Sequence, residues 1–140
     1  MNLLVPHDGS EFADKTLDRA VELSRKMGGA NISSVIVVSD LCISFVSQDE
    51  CGLLDNALRK EAEEIKKMIE TKFAEKGIKG EVTVKAGYPE KVILETAEQV
   101  NADYIVMGAS GKHGAASRNA LGGVTCKVVN LGRHSVIVVK

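Results

Sequence analysis

The sequence predicts an α/β domain in which a parallel sheet is covered by helices on both faces, a three-layer α/β/α arrangement of the Rossmann-like kind. Three observations carry this. Five short runs are apolar and β-branched almost without interruption, as expected of strands buried on both faces. Longer stretches with a helical apolar period lie between them. Glycines, a proline and capping residues stand at the joints.

Leu3–Pro6 is the first strand. Asp8-Gly9-Ser10-Glu11 opens a helix with Leu17, Ala20, Val21, Ser24 and Met27 on its apolar face, and Gly28-Gly29 closes it. Ile32–Val38 is the second strand, followed by a long mixed connection, Asp40–Gly52, with Leu41, Ile43, Phe45 and Val46 among polar neighbours. The second helix presents Leu54, Leu58, Ile65, Met68, Ile69 and Phe73 and ends at Gly77. Its charges, from Arg59-Lys60-Glu61 onward, read as a solvated face with i,i+4 pairing. Glu81–Lys85 is the third strand. Pro89 suits the first turn of a third helix that presents Val92, Ile93, Ala97 and Val100. Tyr104–Met107, a short helix near Val124–Leu131 and a final strand Val136–Val139 complete the alternation. No repeat or linker interrupts it, so residues 1–140 read as one domain.

Composition narrows the function. With 18 basic and 19 acidic residues the net charge is −1, which argues against nucleic acid as a partner. No apolar stretch approaches the roughly 20 residues that cross a bilayer, so no membrane is expected either. The opening residues lack a basic segment, and the apolar run from Met1 is short, unlike a secretory signal. Cys42, Cys51 and Cys126 are odd in number and lack CxxC spacing, which fits reduced thiols in a cytoplasmic protein. His7, His113 and His134 show no metal-ligand spacing, so no protein-only metal site is expected.

The chemistry concentrates after the fourth strand. Gly108–Gly123 holds five glycines and four alanines, with Lys112, His113 and Arg118 among them, and leads into a helix at Gly122-Gly123. Glycines let backbone N–H groups approach a phosphate, and a helix N-terminus adds a positive dipole end. The residues alone support two readings: an anion cradle, or turn glycines with solvated basic side chains. A Walker A loop is excluded, because His113 follows Lys112 and Val106 stands where the first glycine belongs. The first turn, His7-Asp8-Gly9-Ser10, is not a GxGxxG fingerprint. A phospho-receiver domain would need an aspartate closing the third strand, where Lys85-Ala86-Gly87 stands instead.

Val5-Pro6-His7-Asp8-Gly9-Ser10, Gly87-Tyr88-Pro89, Ala102-Asp103-Tyr104-Ile105-Val106-Met107-Gly108, Gly122-Gly123-Val124-Thr125 and the closing Ser135–Val139 together resemble the universal stress protein family. The resemblance implies five parallel strands in the order 3-2-1-4-5, with a ligand crevice where the winding reverses between strands 1 and 4. It implies ATP or AMP as ligand, with Mg²⁺ riding on the phosphates, and a homodimer through the last strand. The family pattern Gly-x-x-Gly, nine residues, Gly-Ser/Thr places Gly108 and Gly111 near ribose and phosphates and Gly122 at the helix start. Lys112, Val124 and Thr125 join this phosphate end. Asp8 would accept from ribose or base, Val38 would offer its backbone to the adenine edge, and Pro6 and Met107 would be apolar walls. Two departures stand out. Ten residues, Lys112–Leu121, separate Gly111 from Gly122, and Gly123 replaces the hydroxyl residue.

Asp8 also fits a helix cap, and His7 a strand end with no nucleophile beside it. Two functions are therefore expected in competition. One is a stress-associated regulatory module that binds an adenine nucleotide and hydrolyses it slowly at most, since no general base is evident. The other is a dimeric interaction protein of the same fold that binds none.

Overall fold

The structure is a computed structural model that describes residues 1–39, 48–110 and 121–140. Nine elements alternate along the described chain: β1 (Asn2–Pro6), α1 (Glu11–Lys26), β2 (Asn31–Val38), α2 (Gln48–Lys76), β3 (Gly80–Ala86), α3 (Pro89–Gln99), β4 (Tyr104–Gly108), α4 (Gly123–Leu131) and β5 (Ser135–Val139). All four strand pairings are parallel, and the sheet order is β3-β2-β1-β4-β5.

Handedness then assigns the layers. Crossovers between parallel strands are right-handed. The chain moves one way from β1 to β3 and the opposite way from β4 to β5, so α1 and α2 must cover one face and α3 and α4 the other. The two core clusters follow this division. Leu3, Val5 and Val106 pack with Leu17 and Val21 of α1 and Ile69 and Phe73 of α2. Leu4, Ile105 and Met107 pack with Val92, Ile93 and Ala97 of α3 and Val128 of α4. Successive strand residues thus alternate between layers, and both layers are apolar, which is why the strand runs lack polar alternation.

The elements match expectation with three differences. The helix after β2 begins at Gln48, so the connection is shorter than Asp40–Gly52, and Leu54 and Met68, expected on its apolar face, are exposed. Met27 is the C-cap of α1 and exposed, while Ala13 and Thr16 complete the buried face. On α4 the buried positions are Thr125 and Val128, and Val124, Val129 and Leu131 are exposed. Pro89 occupies the first turn of α3, as its fixed φ favours.

Candidate functional site

A crevice of about 590 Å³ opens at the carboxyl ends of the strands, where β1 and β4 diverge. The cause is local. β1 and β4 pair only through Leu3↔Tyr104 and Leu4↔Ile105. His7 N–H donates to Val35 O at 2.9 Å, so residue 7 turns its backbone toward β2. By alternation residue 6 turns its own toward β4, and residue 6 is a proline with no N–H to give. The ladder ends there, and the strands part.

The floor and walls come from seven elements, β1, α1, β2, α2, α3, β4 and α4. Pro6 and Met107 supply apolar walls, Asp8 and Ser10 stand at the head of α1, and Gly108 ends β4. Gly123, Val124 and Thr125, the first turn of α4, close the opposite side. Leu58, Glu61, Ala62 and Ile65 of α2 also line the crevice, which sequence reasoning missed because Leu58 and Ile65 share the apolar stripe that docks the helix and Glu61 reads as part of its solvated charged face. Gly122 is the N-cap of α4, and its N–H donates to Ala109 O at 2.7 Å. The amides of Gly123, Val124 and Thr125 belong to the first helical turn and have no intrahelical acceptor, so a positive helix end borders the cavity. Gly111 and Lys112 lie outside the described residues.

Two expected side-chain roles change in detail. Ser10, not Asp8, is the N-cap of α1: its Oγ accepts from Ala13 N–H at 3.1 Å. Asp8 Oδ1 accepts from Ser10 N–H at 2.9 Å and braces that turn, with the residue exposed at the rim. The Thr125 hydroxyl donates to Gly108 O at 2.9 Å, so its proton ties α4 to the end of β4. Its oxygen can still accept but cannot donate to a phosphate.

The backbone expectation at Val38 is also revised. Val38 pairs with Ala86, and its carbonyl accepts from Gly87 N–H at 3.0 Å, so its backbone faces β3. The preceding residue faces the other way, and β1 has already ended there. Val37 therefore presents the β2 edge to the crevice, and both residues line it.

His7 is buried beneath the Asp8 turn. Its Nδ1 accepts from Gly9 N–H at 3.0 Å and its Nε2 lies 3.1 Å from Asp14 Oδ1. Burial outweighs the attraction of Asp14 and Asp8, and the ring loses its proton at a lower pH than an ordinary imidazole. Asp14 and Asp18 of α1 meet Lys72 of α2 at 3.5 and 3.3 Å, and Lys76 lies 2.8 Å from Asp18. Burial alone would raise the Asp18 carboxyl; hydrogen bonds from Lys76 and Lys72 outweigh it and hold the group below its usual range. Among the described residues no group of three or more His, Cys, Asp or Glu side chains forms a metal site. None of their helices is long and apolar enough to cross a membrane.

The sequence that builds this crevice matches the family model of the universal stress protein family over residues 1–140. The chain belongs to that family. A universal stress protein of Bacillus subtilis, YxiE, is 32% identical over 146 residues, covering 99% of this chain and 97% of its own. Another from Methanocaldococcus jannaschii is 28% identical over 138 residues, covering 99% and 81%. Among solved structures, universal stress protein UspA of Lactobacillus plantarum superposes with a TM-score of 0.86 at 27% identity, covering 100% and 97%. More distant universal stress proteins share the fold in structures with small nucleotides bound. One holds cAMP (22% identity, TM-score 0.74, covering 100% and 97%) and one from Archaeoglobus fulgidus holds dAMP (24%, 0.66, 100% and 98%). One from Arabidopsis thaliana has AMP bound (15%, 0.69, 100% and 91%).

Proposed function

We propose that this universal stress protein is a regulatory module that binds an adenine nucleotide, ATP or AMP, in the crevice between β1 and β4. The observation that carries the reading is the placement of the α4 N-terminus against a cavity of about 590 Å³ at the winding reversal. That volume lies in the range of small-molecule sites. Nucleotides in the structures of more distant family members support the same reading. The base would lie between Pro6 and Met107 along the Val37 edge, with Asp8 accepting from the ribose. The amides of Gly123, Val124 and Thr125 would receive phosphate, and Mg²⁺ would enter only with the phosphates. The chain would act as a homodimer through β5 in the cytoplasm, with hydrolysis slow at most.

Gly123 favours the competing reading, a dimeric interaction protein without nucleotide, because it supplies no hydroxyl and the Thr125 proton is engaged. The same residue offers the test. A Cβ built at Gly123 meets nothing within 4 Å, so a serine fits without rearrangement. One restored hydrogen bond to a charged group is worth about 1.5–3 kcal/mol. Gly123→Ser is therefore expected to tighten AMP binding in calorimetry about tenfold to a hundredfold. The wild-type protein, denatured and assayed by mass spectrometry, is expected to release adenine nucleotide. No carried nucleotide, and no binding of AMP or Mg²⁺·ATP by either protein at millimolar ligand, would establish the competing reading.

A further inference from the structure

The geometry points to His7 as the positioning residue of this crevice: its neutral ring holds the turn that carries Asp8 and ties that turn to α2. The inference rests on the ligand-binding reading above for its consequence, and on the ring's own contacts for its substance.

The ring is shut away from solvent, with His7 3% exposed on the α1–α2 side of the sheet. A backbone N–H can only donate. Gly9 N–H approaches Nδ1 at 3.0 Å, so Nδ1 must carry a lone pair. The proton then sits on Nε2 and is donated to Asp14 Oδ1 at 3.1 Å. One tautomer satisfies both contacts, and neither the other tautomer nor the cation does.

The same contacts run on into α2. Asp14, which receives the ring proton, lies 3.5 Å from Lys72 Nζ, and Lys72 also reaches Asp18. Ile65 of α2 packs directly over Gly9: a Cβ there would stand 2.7 Å from Ile65 Cδ1. Glu61 and Ala62, one turn before Ile65, line the crevice. The turn bearing Asp8, the ring and the α2 wall of the cavity are therefore set against one another.

Protonating Nδ1 would place two donors 3.0 Å apart, and the Gly9 amide would have to move, taking Asp8 with it. The charged groups that face the ring are Asp8 on its own turn, Asp14 on α1 and Lys72 on α2. The two aspartates favour the cation; burial and Lys72 oppose it and prevail. The folded chain thus takes up this proton below the ordinary value of 6.5. The turn is intact above that value and is lost as pH falls toward and through the lowered one.

The test uses the full-length protein. Ring ¹⁵N shifts and the Gly9 amide are followed from about pH 8 to about pH 5, a window that brackets an imidazole's titration. The Nε2–H tautomer is expected at neutral pH, with the Gly9 amide moving in step with the ring. AMP affinity is then measured for the wild type, His7→Asn and His7→Gln. Asparagine can accept from Gly9 N–H and does not titrate, so it also corrects for protonation of the AMP phosphate. Below the ring's own titration midpoint, as read by the ¹⁵N shifts, wild-type affinity relative to His7→Asn is expected to be about fivefold to tenfold lower than at about pH 7.5, the worth of about one hydrogen bond. Glutamine reaches toward Asp14 but offers Gly9 nothing, and is expected to bind several-fold more weakly at both. An Nδ1–H tautomer, or a Gly9 amide indifferent to the ring's titration, overturns the inference whatever AMP does. So does wild-type affinity in His7→Gln. Absence of AMP binding together with coupled ring and amide titrations refutes the nucleotide reading and upholds the positioning of the turn.

Discussion

Glycine is required at positions 9 and 108 for different reasons. Gly9 has φ +82°, a left-handed backbone that costs an L-residue about 1–2 kcal/mol. Its neighbour is the far end of the Ile65 side chain, which can rotate away, so backbone strain is the larger cost. Gly9→Ala is expected to lose about 1–2 kcal/mol in urea unfolding; a loss within a few tenths would show that the turn relaxes freely. Gly108 has an ordinary φ. A Cβ there would stand 2.9 Å from both Thr16 Oγ1 and Ser110 O, and the Thr16 hydroxyl is itself held by Phe12 O. Close packing of α1 on β4 thus accounts for this glycine before any ligand is considered. The sequence shows that both positions are glycine and cannot separate the two causes, because conformation and contact are properties of the folded chain.

Between elements, α1 and α2 meet through charge as well as through the apolar cluster. Lys72 and Lys76 bracket Asp14 and Asp18, with side chains partly exposed. Such pairs contribute about 1 kcal/mol or less. Lys72→Met is accordingly expected to cost under about 1 kcal/mol in chemical unfolding while raising the pH at which the Asp18 carboxyl titrates, read by carboxyl carbon NMR. An unchanged Asp18 titration would show that Lys76 alone holds it. The depressed Asp18 contributes stability that is present above its ordinary value of 3.8 and lost as pH falls through the lowered one. Five strands and four helices were legible from apolar period and punctuation, because burial on both sheet faces leaves that imprint. The sequence order of strands within the sheet was not; it came from motif resemblance, since periodicity carries no information on which strands are neighbours. Of the residues that line the crevice, Pro6, Asp8, Met107, Gly108 and Gly123–Thr125 stand in motifs legible in the sequence. Val37 and the α2 wall were not, because one depends on which way a strand edge points and the other on how a helix docks. His7 reads in the sequence as a strand end and not a catalyst; the positioning role proposed for it needs the distances to Gly9 and Asp14.

For the molecule as a whole, one reversal of winding fixes both the crevice and the exposed edge. It places β1 in the middle of the sheet, where a proline can end a ladder and open a cavity, and leaves β5 as an outer strand paired only with β4 among the described elements. Val136, Ile137, Val138 and Val139 are all half-buried there. An apolar outer strand without charge or proline invites pairing with another chain. Partnering through β5 would complete the hydrogen bonding of that edge. Sedimentation velocity is therefore expected to show a dimer at tens of micromolar protein, and a monomer at that concentration would refute the proposed assembly. Val138→Lys places a charge on the edge strand while leaving the β4 backbone pairing in place. It is expected to give a monomer with an unchanged far-ultraviolet circular dichroism spectrum. A dimer that survives this substitution would place the interface on a surface other than β5.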